Sequence, residues 1–203
     1  MGWIGSFGWL NNAGGAASNA YLAYDSFTRA DAAIGNSEAS GPLGNAPILA
    51  WLDSVSATWQ VKSNAAWCQV GPDPCASTVN VGVRNATVQA SITCTAGWIG
   101  VVASYVDINN FVYASVFGNY AVMTKVVGGT SSQLIAVDSL YSAGKPIKLV
   151  VNGNTVSMFY DGTIVDAPQT ISDAGLMSAT RAGVFARQTF SAGDIVDAFQ
   201  VTA

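Results

Sequence analysis

Apolar and polar side chains alternate along much of the chain, most cleanly over Asn85–Thr95. Ala86, Val88, Ala90, Ile92 and Cys94 fall on one side, and Thr87, Gln89, Ser91, Thr93 and Thr95 on the other. A period of two marks a strand with one buried face. The signal recurs between turn residues. In Lys148–Tyr160 two apolar runs flank Asn152-Gly153, and the second ends at Asp161-Gly162. Asn-Gly and Asp-Gly tolerate the positive φ of tight hairpin turns, so each pair folds the chain back on itself. Gly97–Asp166 is therefore read as a ladder of antiparallel strands.

Further strands are expected over Leu22–Arg29, Thr58–Lys62, Ala65–Val70, Phe111–Phe117, Tyr120–Val127, Ser132–Val137, 181–187 and 194–202. In the first, Ala23, Asp25, Phe27 and Arg29 share a face. Trp98–Val106 is apolar on both faces, which predicts a central strand covered on each side. At least a dozen short strands, no convincing helix and near-regular turns predict an all-β fold. Its form is a two-sheet antiparallel β-sandwich, a jelly roll, with an extended N-terminal arm. Residues 30–56 carry Gly35, Gly41-Pro42, Gly44 and Pro47 and read as a long loop, functional or packed as a cap. Its Ile48–Leu52 segment is apolar enough to lie across a sandwich edge.

Residues 1–21 form the arm and linker, and 22–203 the sandwich domain. Glycine at every third position (Gly2, Gly5, Gly8) opposes a helix, and the absence of Lys or Arg before Arg29 opposes a secretory signal. The arm carries Trp3, Ile4, Phe7, Trp9 and Leu10, side chains that favour burial. They fold back on their own domain or dock into a neighbouring chain. Docking is preferred, because the Asn/Gly/Ala/Ser linker decouples the arm from the domain.

The chain resembles the concanavalin A-like lectin/glucanase superfamily, which includes laminin-G-like domains. The resemblance rests on Asp25-Ser-Phe-Thr-Arg-Ala-Asp31, Ala57-Thr-Trp-Gln-Val61, Ala86-Thr-Val-Gln-Ala-Ser91 and Gly100–Tyr113. Lys148–Val156, Asp161-Gly162 and Ile195-Val-Asp-Ala-Phe199 complete it. The opening Asp-x-Phe-x-Arg-Ala-Asp also resembles domains found in tailed-phage virion proteins. The resemblance implies that the first and last strands pair, so that Asp25–Phe27 and Asp197–Phe199 are neighbours. Some relatives bind calcium there through an Asp at the position of Asp197; an Asp bonded to its own backbone is the commoner arrangement. Enzymatic members cleave glycans with two glutamates close together on one strand.

Composition narrows the chemistry. The chain has 10% charged residues, a net charge of −4 and no histidine. Its eight basic residues are scattered, and phosphate backbones and anionic membranes need clustered Lys and Arg, so neither nucleic acid nor membrane is expected as a partner. No apolar run approaches the ~20 residues that span a bilayer. Retaining glycoside hydrolysis needs two carboxyl groups about 5 Å apart, yet Glu38 is the single glutamate. The Asp161/Asp166 and Asp194/Asp197 pairs sit at turns and strand starts, where Asp is common anyway. No catalytic residue, metal site or cofactor is therefore assigned.

Cys94 reads as a buried thiol. Cys68 and Cys75 bracket a loop bent by Gly71-Pro72 and Pro74, and a disulfide and two reduced thiols both remain open. Sugar binding would use an aromatic platform; Trp51, Trp59, Trp67, Trp98, Tyr105, Tyr113 and Tyr120 are candidates, although sandwich aromatics are usually core. The leading expectation is a non-catalytic structural protein of a phage virion, a capsid decoration or tail-appendage subunit. It would be a homo-oligomer assembled with other virion proteins through the arm. The alternative is an extracellular carbohydrate-binding module with a glycan partner, and a glycan hydrolase is a remote third.

Overall fold

The computed structural model describes residues 21–42, 44–138, 141–188 and 190–203. The arm residues Trp3, Ile4, Phe7, Trp9 and Leu10 lie outside them. The chain begins with β1 (Tyr21–Asp25) and four two-residue pieces, β2 (Ala32–Ala33), β3 (Ser40–Gly41), β4 (Gly44–Asn45) and β5 (Leu52–Asp53). Then come β6 (Thr58–Lys62), β7 (Ala65–Val70), β8 (Cys75–Asn80), β9 (Ala86–Thr93) and β10 (Trp98–Asp107). β11 (Asn110–Phe117), β12 (Tyr120–Val127), β13 (Thr130–Val137), β14 (Lys145–Asn152) and β15 (Thr155–Tyr160) continue the ladder. β16 (Thr163–Ile164), β17 (Gln169–Thr170), a five-residue helix α1 (Ala174–Ser178), β18 (Arg181–Arg187) and β19 (Ile195–Thr202) complete it.

Two antiparallel sheets face each other. The larger, ten-stranded sheet runs β16-β15-β14-β9-β19-β7-β6-β2, with β1 also on β19 and β17 on β15. The smaller, seven-stranded sheet runs β13-β12-β11-β10-β18-β8-β5. Val88, Ile92, Leu149 and Met158 of the larger sheet meet Ile99, Val101, Val112, Met123 and Val184 of the smaller in one continuous core. β9 alternates without a break, its Ala and Val side chains inward and its Thr and Gln side chains half-covered outside. The hairpin turns fall at the expected places. Asn152 pairs with Thr155 around Gly153 (φ 57°), and Ser63 and Asn64 adopt positive φ between β6 and β7.

The first and last strands do pair, with Asp25 opposite Phe199. β1 nevertheless ends at Asp25 rather than Arg29, because the Asp25 side chain turns the chain. Its Oδ1 accepts the Phe27 N–H at 2.8 Å and Arg29 Nη1 at 2.6 Å, while Oδ2 accepts Trp51 Nε1 at 2.8 Å. Phe27 takes φ 54° as a result. Asp25 is fully buried; burial pushes its carboxyl above its usual range, and the bonds from Arg29, Phe27 and Trp51 pull it back.

The 30–56 loop is a cap of short pieces, and only part of Ile48–Leu52 is covered. Trp51 packs on Phe27 and Phe199, whereas Ile48 is 62% and Leu52 56% exposed. β8 and α1 are additions to the expected elements. β8 is buried on both faces with small or polar residues, Ala76, Ser77 and Thr78, and so has no apolar alternation to reveal it. Cys94 is half-buried rather than enclosed, its Sγ donating to the Gly97 carbonyl at 3.0 Å.

Candidate functional site

The outer face of the smaller sheet carries a second apolar cluster, separate from the inter-sheet core. Ala76, Val102, Phe111, Tyr113, Val122 and Phe185 are among its buried members, and Trp98 and Ile108 pack against it. Strand alternation places them there. On β11, Val112, Ala114 and Val116 point inward, which leaves Phe111, Tyr113, Ser115 and Phe117 outward. Tyr113 stacks on Phe185 at 4.0 Å and 16°, and Trp98 stacks on Phe117 at 4.9 Å and 11°. Gly100 lies beside Ser115 and Phe185, and a Cβ there would run into the Ala114 carbonyl, so the strands approach too closely for any other residue.

Three adjoining hollows run along this face and share lining residues. One, of about 360 Å³, is lined by Trp98, Phe117, Tyr120, Val122, Gln133 and Ala136. A second, of about 220 Å³, adds Tyr113, Thr124, Ser131 and Arg187. The third, of about 210 Å³, continues to Asp73, Pro74, Asn109 and Gly129. Together they make a trough, aromatic at one end and polar at the other. Tyr120 rises at the aromatic end, 49% exposed. At the polar end Arg187 Nε donates to Asp73 Oδ1 at 3.1 Å, and the Gln188 N–H donates to the same oxygen at 3.2 Å. Burial would lower the Arg187 guanidinium, but Tyr113 and Asp73 outweigh that and raise it, so it is a fixed cation.

Trp98 is held by one polar contact of its ring and by the turn that precedes it. Its Nε1 donates to Gln188 Oε1 at 2.9 Å. The preceding turn is gathered by buried Asp194, whose carboxylate accepts the amides of Thr95, Ala96 (3.0 Å) and Gly97 (2.8 Å) and the Thr95 hydroxyl (3.0 Å). Asp194 is thus a structural carboxylate that orders the entry to β10.

Of the aromatic candidates, the structure brings Trp98, Tyr113 and Tyr120 together along the trough, with Tyr105 beneath them in the same cluster. Trp51 and Trp59 belong to the inter-sheet core. Trp67 lies apart on the larger sheet with Lys62 Nζ 4.8 Å over its ring. Sequence reasoning missed Phe117, Phe185, Gln133, Arg187 and Asp73. The period-two run Phe111, Tyr113, Phe117 on an already apolar strand was the available signal.

The carboxylates considered for hydrolysis are engaged structurally. Glu38 accepts from Ser26 Oγ at 2.7 Å and lies 3.9 Å from Arg29. Asp161 pairs with Lys145, Asp166 accepts the Ala167 amide, and Asp197 accepts the Ala198 amide at 2.6 Å. Among the described residues no group of three or more His, Cys, Asp or Glu is placed to hold a metal ion, and no helix is long and apolar enough to cross a membrane. Cys68 and Cys75 face each other with 2.7 Å between their sulfurs.

No family model matches the chain, and no curated protein does. Solved structures do. A carbohydrate-binding module, CBM66 from Bacillus subtilis, superposes with a TM-score of 0.57 at 14% identity, covering 75% of this chain and 95% of that one. The Caenorhabditis elegans galectin LEC-6 gives 0.47 at 12% identity, covering 62% of this chain and 89% of that chain. A xylan beta-1,4-xylosidase from Bacillus halodurans C-125 gives 0.49 at 14%, covering 70% of this chain and 33% of that one. At such identities the similarity is one of fold, and it is carried by the first. The chain has an all-β, antiparallel β-sandwich (jelly-roll) architecture.

Proposed function

We propose that this domain is a non-catalytic glycan-binding module and that the trough on the smaller sheet is its binding site. The observation that carries the proposal is the parallel Trp98–Phe117 pair with Tyr120 beside it, running into the polar end at Arg187 and Asp73. A pyranose ring presents an apolar C–H face that packs on an aromatic plane, and hydroxyls around its rim that need fixed donors and acceptors. Gln133, Ser131, Asn109 and the Arg187–Asp73 pair supply those groups along the same hollow. The fold likeness to a carbohydrate-binding module supports the reading.

The finer reading places such a module on a virion or another extracellular surface, in contact with copies of itself and with neighbouring structural proteins. Its support is the low charge of the chain and the aromatic arm residues Trp3, Ile4, Phe7, Trp9 and Leu10 in the sequence. A glycan array probed with the whole chain and with Trp98→Ala tests the module. Binding that falls at least tenfold in the variant is expected. Failure of the native chain to bind any glycan, or binding indifferent to Trp98, overturns it. Sedimentation with and without residues 1–20 tests the assembly reading, for which loss of an oligomer on truncation is the expected result.

A further inference from the structure

We propose that Cys68 and Cys75 form an intramolecular disulfide that ties the two sheets together and fixes Asp73 at the polar end of the trough. Cys68 lies on β7 in the larger sheet and Cys75 on β8 in the smaller, so the segment 71–74 is the crossing between them. Both residues are buried, 3% and 0% exposed, and in the structure they are free thiols whose sulfurs face each other in direct contact, so that bond formation needs no rearrangement of the two strands. Gly71 packs on the pair: a Cβ there would lie 2.8 Å from Cys75 Cβ and 3.3 Å from Cys68 Sγ. The crossing segment has been shaped around the two sulfurs and has no room for a side chain between them and residue 71.

The position of the crossing gives the bond a consequence. Asp73 and Pro74 line the third hollow, and Asp73 holds both the Arg187 guanidinium and the Gln188 amide. Gln188 in turn holds the Trp98 indole. A covalent tie between cysteines seven positions apart therefore reaches, through Asp73 and Gln188, the aromatic platform itself. The effect on a ligand rests on the glycan reading above; the bond and its effect on Asp73 do not.

The oxidant is a small-molecule disulfide such as oxidised glutathione. One cysteine, as thiolate, attacks a glutathione sulfur, the glutathione S–S bond breaks, and one glutathione thiolate leaves. The second cysteine then attacks the protein–glutathione disulfide, releases the other glutathione and forms the Cys68–Cys75 bond. Two protein thiols are oxidised, one glutathione disulfide is reduced, and the two thiol protons pass to the departing glutathione thiolates. Burial, followed by the contact with Cys68, raises the Cys75 thiol, so exchange is favoured during folding, before the sulfurs are enclosed.

Refolding the whole chain with oxidised glutathione, and separately with a reductant, tests both halves. Thiol titration in denaturant is expected to find one free thiol (Cys94) after oxidation and all three cysteines free after reduction. Three free thiols after oxidative refolding, or glutathione left attached at Cys68 or Cys75, would overturn the bond. Amide exchange of Gln188 reads the second half without any ligand. It is expected to quicken at least tenfold in the reduced protein and in the Cys68→Ser/Cys75→Ser variant, while amides of β9 stay protected. Equal Gln188 exchange in oxidised and reduced protein would show that the bond does not position Asp73. Glycan binding unchanged by the redox state, with both other results as expected, would place Asp73 outside the ligand's reach.

Discussion

The two sheets share a core but treat their outer surfaces differently. On the larger sheet, β9 turns Thr87, Gln89, Ser91 and Thr93 outward and β15 turns Thr155 and Ser157, with Lys148 Nζ 4.2 Å over the Phe159 ring. That is the ordinary outside of a sandwich, polar or amphipathic and needing no partner. On the smaller sheet the equivalent positions of β11 are Phe111, Tyr113 and Phe117. Both sheets fold by the same alternation and one could carry the other's exterior. The aromatic face therefore exceeds what the alternation alone requires, and the two sheets differ in their exteriors rather than in their shared core.

Five substitutions sharpen this contrast, and the largest effect belongs to the shared core. Ile92→Ala removes a fully buried side chain and is expected to cost about 2–5 kcal/mol in chemical denaturation, whereas Thr93→Ala next to it costs about 0.5 kcal/mol or less. Equal losses would mean that the inner and outer faces are not distinct in the way the register states. Asp194→Ala comes next, at roughly 2–3 kcal/mol, since it leaves three backbone donors without their acceptor. Its mark on the comparison is that the near-ultraviolet signal of Trp98 changes with it, since the turn it orders leads directly into β10. Unaltered Trp98 spectra would break the link drawn between that turn and the platform.

Trp98→Ala is expected to reverse the pattern of Ile92→Ala. The half-buried indole costs only about 1 kcal/mol of stability, but its loss reduces glycan binding at least tenfold, about 1.4 kcal/mol. A variant that melts far below the native protein and binds normally would make the aromatic face a second core. The smallest effect is reserved for the polar exterior. Gln89→Ala is expected to move stability by about 0.5 kcal/mol or less and binding not at all, and any binding loss would shift the site to the larger sheet.

The sandwich was legible because its hairpins are local: Asn152-Gly153 and the alternation of Ala86–Thr95 each declare themselves within ten residues. The pairing of Asp25 with Phe199 came through the resemblance, as no local pattern joins residues so far apart. β8 stayed hidden because burial on both faces erases alternation and its residues are small or polar. The trough was harder still. Apolar residues on both faces of Trp98–Val106 were read as a strand covered on each side, and the structure supplies the second cover with side chains, not another layer. Arg187 and Asp73 come from strand and loop 114 residues apart, so only the fold assembles them.

The pairing partners of β19 bear on how the molecule reaches this state. β19 lies against β9 along one edge, while its other edge is divided between β7, through Val196, and β1. The middle of the larger sheet consequently stays open until Ile195–Thr202 has left the ribosome. The smaller sheet's β10–β13 meander closes through sequential hairpins and needs no such wait. During synthesis the β10–β13 part of the aromatic face can therefore pair early, whereas its completion waits for β18 and that of the larger sheet for β19, and these long-range closures are expected to be the slow steps of folding. A nascent chain paused before residue 195 exposes Val88 and Ile92 beside unpaired strand edges, which makes that interval the one in which a chaperone is most useful.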